Sequence, residues 1–251
     1  MTKFAIVTGA STGIGLELAK LAVQDGYEVL GAADTPFEQD LGIETLEVDL
    51  STFDGVDQLL AGVGGRQVDL LCANAGHGLG HAFLDQDPAD WKHVVDTNIV
   101  GTIYLLQKVL PAMVARNEGK VLVTGSVAGY IPGSFQAVYN SSKSFVDSFM
   151  EALRNELKDA DGITLSTLMP GPVDTEFFAR GDMLDTKVGS DPKKSDPADV
   201  AKDGWNAVMG GKSSIFSGWK TKIQGVVANV TSNAVLAEQH RNMAEPGTAK
   251  D

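Results

Sequence analysis

The stretch Thr8-Gly9-Ala10-Ser11-Thr12-Gly13-Ile14-Gly15 decides the fold. It follows an apolar run at residues 4–7 and leads into a segment of helical period at residues 16–21, so strand, glycine turn and helix occur in that order. Glycines let the backbone turn tightly, and the free N–H groups and dipole of a helix N-terminus stabilise an anion such as a pyrophosphate. Alone, the stretch predicts either an anion site or only a tight turn, and the rest of the chain has to decide.

The remaining sequence alternates short β-rich runs with longer segments of helical period. Right-handed crossovers between parallel strands place such helices on both faces of one sheet. We therefore predict an α/β fold with a doubly wound parallel sheet of about seven strands. The predicted strands cover residues 3–8, 27–33, 44–48, 68–73, 120–124, 164–169 and 214–217, and the predicted helices cover residues 14–24, 53–61, 88–115, 138–158 and 197–209.

This alternation predicts one domain over residues 1–251, because no repeat or long linker interrupts it. The polar stretch 179–197 is predicted to be a long, mobile loop, and loops of that length in compact domains are usually functional or disordered. With the turn before it, it forms a predicted substrate loop at about 173–197. Residues from about 219 to 251 form a predicted C-terminal extension.

The charge balance argues against polyanionic partners. The chain has a formal net charge of −13 and a pI near 4.6, which repels nucleic-acid phosphates and anionic lipid surfaces. The first apolar run is too short for a signal peptide, and no later run suggests a membrane span. We expect a soluble, cytoplasmic protein with a small-molecule partner and no nucleic-acid or membrane partner.

The cysteine and histidines do not predict a metal site. Cys72 lies in the apolar run 68–73 and is expected to be a buried thiol rather than a nucleophile. His77, His81, His93 and His240 lack a ligand spacing supported by cysteines or carboxylates, so no metal is predicted. His77 and His81 could touch a substrate, although an ordinary loop role is favoured.

Tyr139 and Lys143 form a candidate acid–base pair. They stand four residues apart in a helical segment, so their side chains project from one face. An ammonium beside a phenol lowers the pKa of the phenol, which is otherwise about 10 and too high for a good base at neutral pH. Ser126, after the fifth predicted strand, could donate a hydrogen bond to a substrate oxygen that gains charge.

These motifs together resemble the short-chain dehydrogenase/reductase family. The family has Gly-x-x-x-Gly-x-Gly after the first strand and Asn-Ala-Gly after the fourth, matched here at residues 9–15 and 74–76. The resemblance covers roughly residues 3–218 and implies a Rossmann-like fold whose cofactor cleft lies at the C-terminal ends of the strands. The cofactor-binding residues that it implies are Gly9, Ser11, Thr12, Gly13, Ile14, Gly15, Asp34, Asp49, Leu50, Asn74, Ala75, Gly76, Tyr139, Lys143, Pro170, Gly171, Val173 and Thr175.

The resemblance extends to the catalytic residues. Asn98, Ser126, Tyr139 and Lys143 match the family's Asn-Ser-Tyr-Lys tetrad in order and spacing, with Asn98 implied to position a proton-relay water. The segment 170–175 resembles the family's Pro-Gly-x-Val-x-Thr turn, in which the Val173 backbone and the Thr175 hydroxyl would hold the nicotinamide carboxamide. Purely structural alternatives are a solvated pair for Tyr139 and Lys143, a capping role for Ser126 and a rigid strand exit for residues 170–175.

Asp34 predicts NAD as the cofactor, preferred over NADP. It ends the second predicted strand about twenty residues after the glycine loop, where an adenosine ribose is bound. A carboxylate accepts hydrogen bonds from ribose hydroxyls and repels a 2′-phosphate, and Thr12 offers no cation where NADP-using relatives often carry one. The family's acidic residue falls one position earlier, at Ala33, so a solvated turn aspartate before Pro36 is the alternative.

The C-terminal extension departs from the family pattern. Its apolar residues recur at intervals of three and four and predict an amphipathic helix, which covers the pocket, docks on a partner subunit or packs on its own core. We expect a homo-oligomer, either a dimer or a tetramer. The apolar positions are Trp219, Ile223, Val226, Val227, Val230, Leu236 and Met243.

The combined pattern predicts an NAD(H)-dependent oxidoreductase that interconverts a secondary alcohol and a ketone, with Tyr139 as general acid and base. One alternative is a redox-inert dinucleotide-binding sensor or scaffold, although such relatives typically lose the tyrosine or the lysine. The other is a lyase on the same fold, against which the intact glycine loop argues. Several apolar residues near the predicted substrate loop indicate either an apolar pocket or simple packing: Phe135, Phe177, Phe178, Met183 and Leu184.

Overall fold

The computed structural model describes residues 2–228 and 230–249. In that part of the chain, seven strands form one parallel sheet: β1 (Phe4–Thr8), β2 (Glu28–Ala33), β3 (Glu44–Glu47), β4 (Leu70–Ala73), β5 (Gly119–Thr124), β6 (Ile163–Met169) and β7 (Ser214–Phe216). The strand order is β3-β2-β1-β4-β5-β6-β7, so the chain reverses its direction of travel between β1 and β4. The predicted doubly wound sheet is confirmed. A cleft at the C-terminal strand ends is expected at such a reversal.

The described helices are α1 (Gly13–Gln24), α2 (Phe53–Val63), α3 (Pro88–Val95), α4 (Thr102–Arg116), α5 (Ala137–Glu156), α6 (Phe177–Arg180), α7 (Pro197–Met209), α8 (Trp219–Ala228) and α9 (Asn233–Ala244). Their apolar faces pack on both sides of the sheet. One core contains side chains of α2, α4 and α5, and the other contains side chains of α1 and α7. Cys72 of β4 is fully buried in the second core, and burial raises the pKa of its thiol to about 12. This agrees with a structural thiol.

The single helix predicted at residues 88–115 is wrong in its middle. A wider, π-helical turn at Asp96–Gly101 separates α3 from α4. Asn98 turns inward here, and Gly101 packs so closely on the backbone of Leu50 that a Cβ atom at position 101 would lie 2.0 Å from the Leu50 carbonyl oxygen. Such turns inside α-helices often occur at functional sites.

The stretch Pro88–Arg116 has the length and apolar composition of a membrane-spanning helix. Five of its apolar side chains nevertheless lie in the core beside the sheet: Leu105, Leu106, Val109, Leu110 and Met113. Core packing therefore accounts for its apolar character.

The polar stretch 179–197 is packed rather than an open loop. Met183 is fully buried, and Thr186 is 1% exposed and donates a hydrogen bond to the Met183 carbonyl at 2.7 Å. Val173 forms a short parallel bridge with Ser195. The bridge ties the two ends of the predicted substrate loop to each other, and the Thr186 hydrogen bond forms a turn in its middle.

The C-terminal extension forms two helices, α8 and α9, where the sequence pattern predicts one. Leu236 of α9 packs with Ile131 and Ala228 in a small third core. Ile223 and Val230 are exposed. The side chains of Trp219 and Val226, which the prediction included, lie outside the described part of the structure.

Candidate active site

The glycine loop between β1 and α1 packs so tightly that its geometry requires two glycines. A Cβ atom at position 15 would lie 2.0 Å from the carbonyl oxygen of Gly9 and 2.6 Å from Nδ2 of Asn74. Gly13 has a φ of +56°, and a Cβ atom there would lie 2.8 Å from Cγ2 of Thr175. The loop therefore contacts both the Asn74 segment and the Thr175 turn, which brings three sequence motifs together.

The N-terminus of α1 is open towards the resulting cleft. Among the described residues, Thr12 at the N-cap makes no side-chain capping hydrogen bond, and the first turn contains no acidic residue. The N-cap aspartates of α3 and α7, Asp87 and Asp196, do cap their helices. The first backbone N–H groups of α1, beside Gly13 and Ile14 on the cleft wall, are thus available to an anion.

Asn74 joins the ends of three strands. Its backbone N–H and that of Ala75 each donate to Oγ1 of Thr8 at 2.9 Å, and its Nδ2 donates to the Thr8 carbonyl at 3.2 Å. Its Oδ1 accepts a hydrogen bond from the hydroxyl of Thr124 at 2.9 Å. Residues 74–76 also line the cleft. Asn74 is therefore both a structural joint and part of the cleft wall.

Asp49 lies on the cleft wall before α2, with Leu50 beside it. Its Oδ1 accepts a hydrogen bond from the N–H of Ser51 at 2.9 Å. Burial acts to raise the pKa of Asp49, but the hydrogen bonds from Ser51 hold the pKa below its usual value. The exposed carboxylate can accept further hydrogen bonds from a ligand, so its turn-forming role and the predicted binding role are compatible.

Tyr139 and Lys143 both line the cleft from α5. Burial raises the pKa of Tyr139 to about 12, and the Ser126 hydroxyl opposes this rise. Burial lowers the pKa of Lys143 to about 8, and its Nζ donates to the Thr124 carbonyl at 2.8 Å. The sequence predicts that Lys143 lowers the tyrosine pKa. In the structure burial instead raises the pKa of Tyr139, which favours the neutral phenol.

Ser126 connects the ends of β5 and β6. Its Oγ accepts a hydrogen bond from the N–H of Ala128 at 3.1 Å and donates to the Pro170 carbonyl at 3.5 Å. The same carbonyl accepts the N–H of Val127 at 3.0 Å. Ser126 thus caps a short turn, which is the structural role that the sequence left open. Its hydroxyl also lies near Tyr139.

The turn after β6 forms the opposite wall of the cleft. Pro170, Gly171, Val173 and Thr175 all line it. The Thr175 hydroxyl accepts the N–H of Phe177 at 3.3 Å and so starts α6. The turn is therefore a rigid strand exit whose inner side faces the glycine loop.

Asn98 lies behind the cleft rather than in its lining. Its Oδ1 accepts the N–H of His77 at 2.7 Å, and its Nδ2 donates to the His77 carbonyl and to Oγ of Ser142, both at 2.9 Å. Because both ends of the amide are used, the side chain fixes the His77 segment to α5. The implied role of Asn98 in positioning a water stays a prediction.

Asp147 is a site residue that the sequence reasoning missed. It follows Lys143 by one helical turn, is 8% exposed, and packs against Gly125 and Gly129. Among the described residues, neither carboxyl oxygen has a partner in full hydrogen-bond geometry, although the backbone N–H of Ser126 lies close enough to act against a rise in the pKa of Asp147. Burial raises the pKa of Asp147 to about 7, and the Lys143 ammonium opposes the rise. Its spacing of four and eight residues from Lys143 and Tyr139 is a signal that could have found it.

Residues 175–183, here named the lid, cross the cleft. The N–H of Gly80 donates to the Gly181 carbonyl at 2.8 Å, and Nε2 of His81 lies 2.8 Å from Oδ2 of Asp182. The ring of Phe177 lies 5.1 Å from the ring of Tyr139, measured between centroids. The lid therefore encloses the space above the candidate catalytic tyrosine.

Arg180 of the lid reaches the end of β2 and pairs with Asp34, with 2.5 Å between Nη2 and Oδ2. Both residues line the cleft, as does Ala33. The sequence reasoning missed this arginine because 146 positions separate the partners. A cation thus stands beside the carboxylate that is predicted to bind the ribose.

The cleft collects nearly all of the predicted site residues. Gly15 and Asn98 are the two that do not line it, and both act on residues that do. No cluster of three metal-ligating side chains occurs among the described residues. Lining residues that were not predicted include Val48, His93, Thr97, Gln136, Arg180, Val188, His240 and Met243.

Comparison with known proteins gives a consistent result. A family model described as short chain dehydrogenase matches residues 3–182. A probable NADP-dependent dehydrogenase of Haemophilus influenzae is 35% identical over 217 residues, which cover 80% of this chain and 85% of that protein. An uncharacterized oxidoreductase of Staphylococcus saprophyticus is 30% identical over 213 residues, covering 80% and 88%. A short-chain dehydrogenase structure from Streptomyces avermitilis has the same fold, with a TM-score of 0.81 at 22% identity over 96% of this chain and 97% of that one.

Proposed function

The chain belongs to the short-chain dehydrogenase family of oxidoreductases, and from this premise we propose that it interconverts a secondary alcohol and a ketone with NAD(H). One observation carries the proposal: Tyr139, Lys143 and Ser126 line the same cleft as the glycine loop. A general acid and base, a cation and a hydroxyl donor are the groups that such a reaction requires.

The cleft fits a dinucleotide. Gly13 and Gly15 let the glycine loop pack closely on Asn74 and Thr175, so the loop backbone lies at the cleft wall. The open N-terminus of α1 offers N–H groups there to a pyrophosphate. Asp49 and Asp34 would contact the adenosine end, and the turn at residues 170–175 would hold the nicotinamide end. The bound cofactor accepts or supplies the hydride.

The residues of the chain control the proton. In alcohol oxidation, Tyr139 as phenolate takes the hydroxyl proton while the carbon loses hydride, and the C–O single bond becomes a carbonyl. In ketone reduction, the phenol returns that proton to the oxygen. Ser126 donates a hydrogen bond to the substrate oxygen, and Lys143 stabilises the phenolate that burial disfavours.

Cofactor preference depends on Asp34 and Arg180. We infer that Asp34 accepts the ribose hydroxyls of NAD(H) and that Arg180, by pairing with it, weakens the repulsion of a 2′-phosphate. The preference for NAD(H) is therefore modest. That a relative in Haemophilus influenzae is named as NADP-dependent is consistent with a small energetic gap between the two cofactors.

The remaining expectations concern assembly and location. The exposed apolar side chains of Ile223, Val227 and Val230 support a homo-oligomer, which light scattering on the purified protein tests. The net charge of −13 supports a small-molecule partner rather than a nucleic acid or an anionic membrane surface. A cytoplasmic location stays an expectation.

A substrate panel tests the proposed function. Secondary alcohols with NAD⁺ and ketones with NADH are assayed by nicotinamide absorbance, and turnover of at least one pair is expected. Binding of NADH without turnover across the panel would favour the redox-inert alternative. Halide release from a halohydrin without oxidation would favour the lyase.

A further inference from the structure

Helix α9 covers one end of the cleft, although it lies beyond residue 182, where the family match ends. Nδ1 of His240 lies 2.9 Å from the Ser134 carbonyl oxygen, and the Ser134 hydroxyl donates to the Ala237 carbonyl at 3.0 Å. The guanidinium of Arg241 lies 4.9 Å from the centre of the Phe135 ring. The loop that immediately precedes α5 and Tyr139 is therefore held in place by α9.

The residues around the end of α9 also hold the chain that follows the lid. The Met243 carbonyl accepts the N–H of Val188 at 3.0 Å. The N–H of Ala249 donates to the Asp185 carbonyl at 2.7 Å, and the N–H of Gly247 donates to the Asp185 carboxylate at 2.8 Å. The C-terminal segment thus ties the loop before Tyr139 to the chain after the lid.

Two side chains of α9 enter the cleft lining, His240 and Met243. They share that wall with the apolar residues Ile131, Phe178 and Val188. His240 is 7% exposed, so its ring is almost wholly enclosed by protein and cleft. The cleft wall at α9 is consequently largely apolar, with His240 and the nearby Gln136 as its polar side chains, while His77 and His93 line the cleft elsewhere.

The hydrogen bonding of His240 fixes what the imidazole can do. A carbonyl oxygen only accepts, so Nδ1 carries the proton that is donated to Ser134. Burial lowers the pKa of His240, which keeps the ring neutral at neutral pH. Nε2 is then an acceptor, and among the described residues it has no hydrogen-bond partner.

We infer that α9 forms a substrate-recognition wall and that Nε2 of His240 accepts a hydrogen bond from a hydroxyl or N–H group of the substrate, remote from the reacting carbon. The inference rests on the proposed function, because it names the substrate class of the same site. That class is a secondary alcohol or ketone with an apolar body and a second hydrogen-bond donor. An acceptor that a bound substrate removes from water discriminates against analogues that lack the donor.

Three matched ligands test this assignment in the complex with NADH: phenylacetone, its para-hydroxy analogue and its para-methoxy analogue. The hydroxy analogue should bind at least about tenfold more tightly than the methoxy analogue, since only the former donates. His240→Leu should abolish the difference, and His240→Gln, which retains an acceptor, should keep part of it. Gln239→Leu, an exposed change on the same helix, should keep all of it.

Equal affinities in the wild type, a difference that survives His240→Leu, or failure of all three ligands to bind would each overturn the inference, even if other ketones are reduced. A His240-dependent difference in affinity between the hydroxy and methoxy analogues, without turnover of any ketone, would support the inference and contradict the proposed function. Nitrogen NMR of the ligand-free protein adds a test that needs no ligand. The Nδ1–H tautomer is expected at neutral pH, and an Nε2–H tautomer or an imidazolium would contradict the assignment.

Discussion

Arg180 of the lid and Asp34 at the end of β2 form an ion pair, with 2.5 Å between Nη2 and Oδ2. Each side chain is a little over one-third exposed, so the pair is partly screened by solvent. It links the segment above Tyr139 to the part of the cleft where an adenosine ribose would lie. Lid position and cofactor selection are thereby connected through one contact.

Removal of Arg180 and removal of the Asp34 charge should shift the cofactor preference in opposite directions. Arg180→Ala leaves the Asp34 carboxylate uncompensated and should raise the preference for NADH over NADPH by about tenfold, the size of one charge-assisted contact at a half-exposed site. Asp34→Asn frees Arg180 to pair with a 2′-phosphate and should lower the preference by a similar factor. The measurement is kcat/KM with each cofactor, together with the two dissociation constants.

Arg66→Ala is the matched control for this pair. Arg66 pairs with Glu44 at the opposite end of the strands from the cleft, so its loss should leave the preference unchanged. If both test variants move the ratio in the same direction, the pair does not select the cofactor.

Asp147 should make folding stability depend on pH. Its pKa rises from 3.8 to about 7 on folding, so the folded chain retains a proton that the unfolded chain releases as pH rises between these values. The contribution of Asp147 to the free energy of unfolding is therefore greatest below pH 3.8 and is lost as the pH rises to about 7. The loss is on the order of a few kcal/mol.

At pH 8, which lies above the raised pKa of about 7, Asp147→Asn should accordingly increase the free energy of unfolding. The pH dependence of that free energy between about 4 and 7 should become flatter. Denaturant unfolding across this range measures the effect. The exposed change Asp159→Asn is the control and should reproduce the wild-type curve. A variant that is less stable at every pH would mean that the Asp147 charge supports the fold.

Alcohol oxidation should have a rising pH profile. Below the pKa of Tyr139, the phenolate fraction increases about tenfold per pH unit, and this is the form that accepts the proton. Above about 8, Lys143 loses its own proton, so the rise should level off. Values of kcat/KM measured below and above about pH 8 give the profile. A deuterated alcohol establishes whether hydride transfer limits the rate. A flat profile with a full isotope effect would exclude Tyr139 as the base.

The sheet and most helices were predictable because their signals are local. Hydrophobic period and glycine spacing placed all seven strands within two residues of their bounds and brought the motifs to one edge of the sheet. The π-helical turn at Asp96–Gly101 was not predictable, since the helical period continues through it and only the inward packing of Asn98 reveals it. The bounds of α6 could not be predicted either, because this four-residue helix lies between polar segments and has no helical period of its own.

The parts of the site that sequence could not predict are the long-range pairs. Asp34 was found from its position after β2, but its partner Arg180 lies in a distant segment. The apolar pattern of the C-terminal extension allows a helix that covers the pocket, but it does not indicate that His240 is the polar side chain that enters the cleft. The pKa of Tyr139 was expected to be low from its spacing to Lys143, yet burial, which spacing does not report, raises it to about 12.

The most direct test of the account is turnover by Tyr139→Phe. The change removes only the hydroxyl, so alcohol oxidation and ketone reduction should each fall by about a thousandfold or more, while the dissociation constant for NADH should change little. Tyr130→Phe, at a half-buried tyrosine that packs on Phe216, is the matched control and should retain wild-type turnover. A Tyr139→Phe variant that turns over at the wild-type rate would contradict the central claim that Tyr139 transfers the proton.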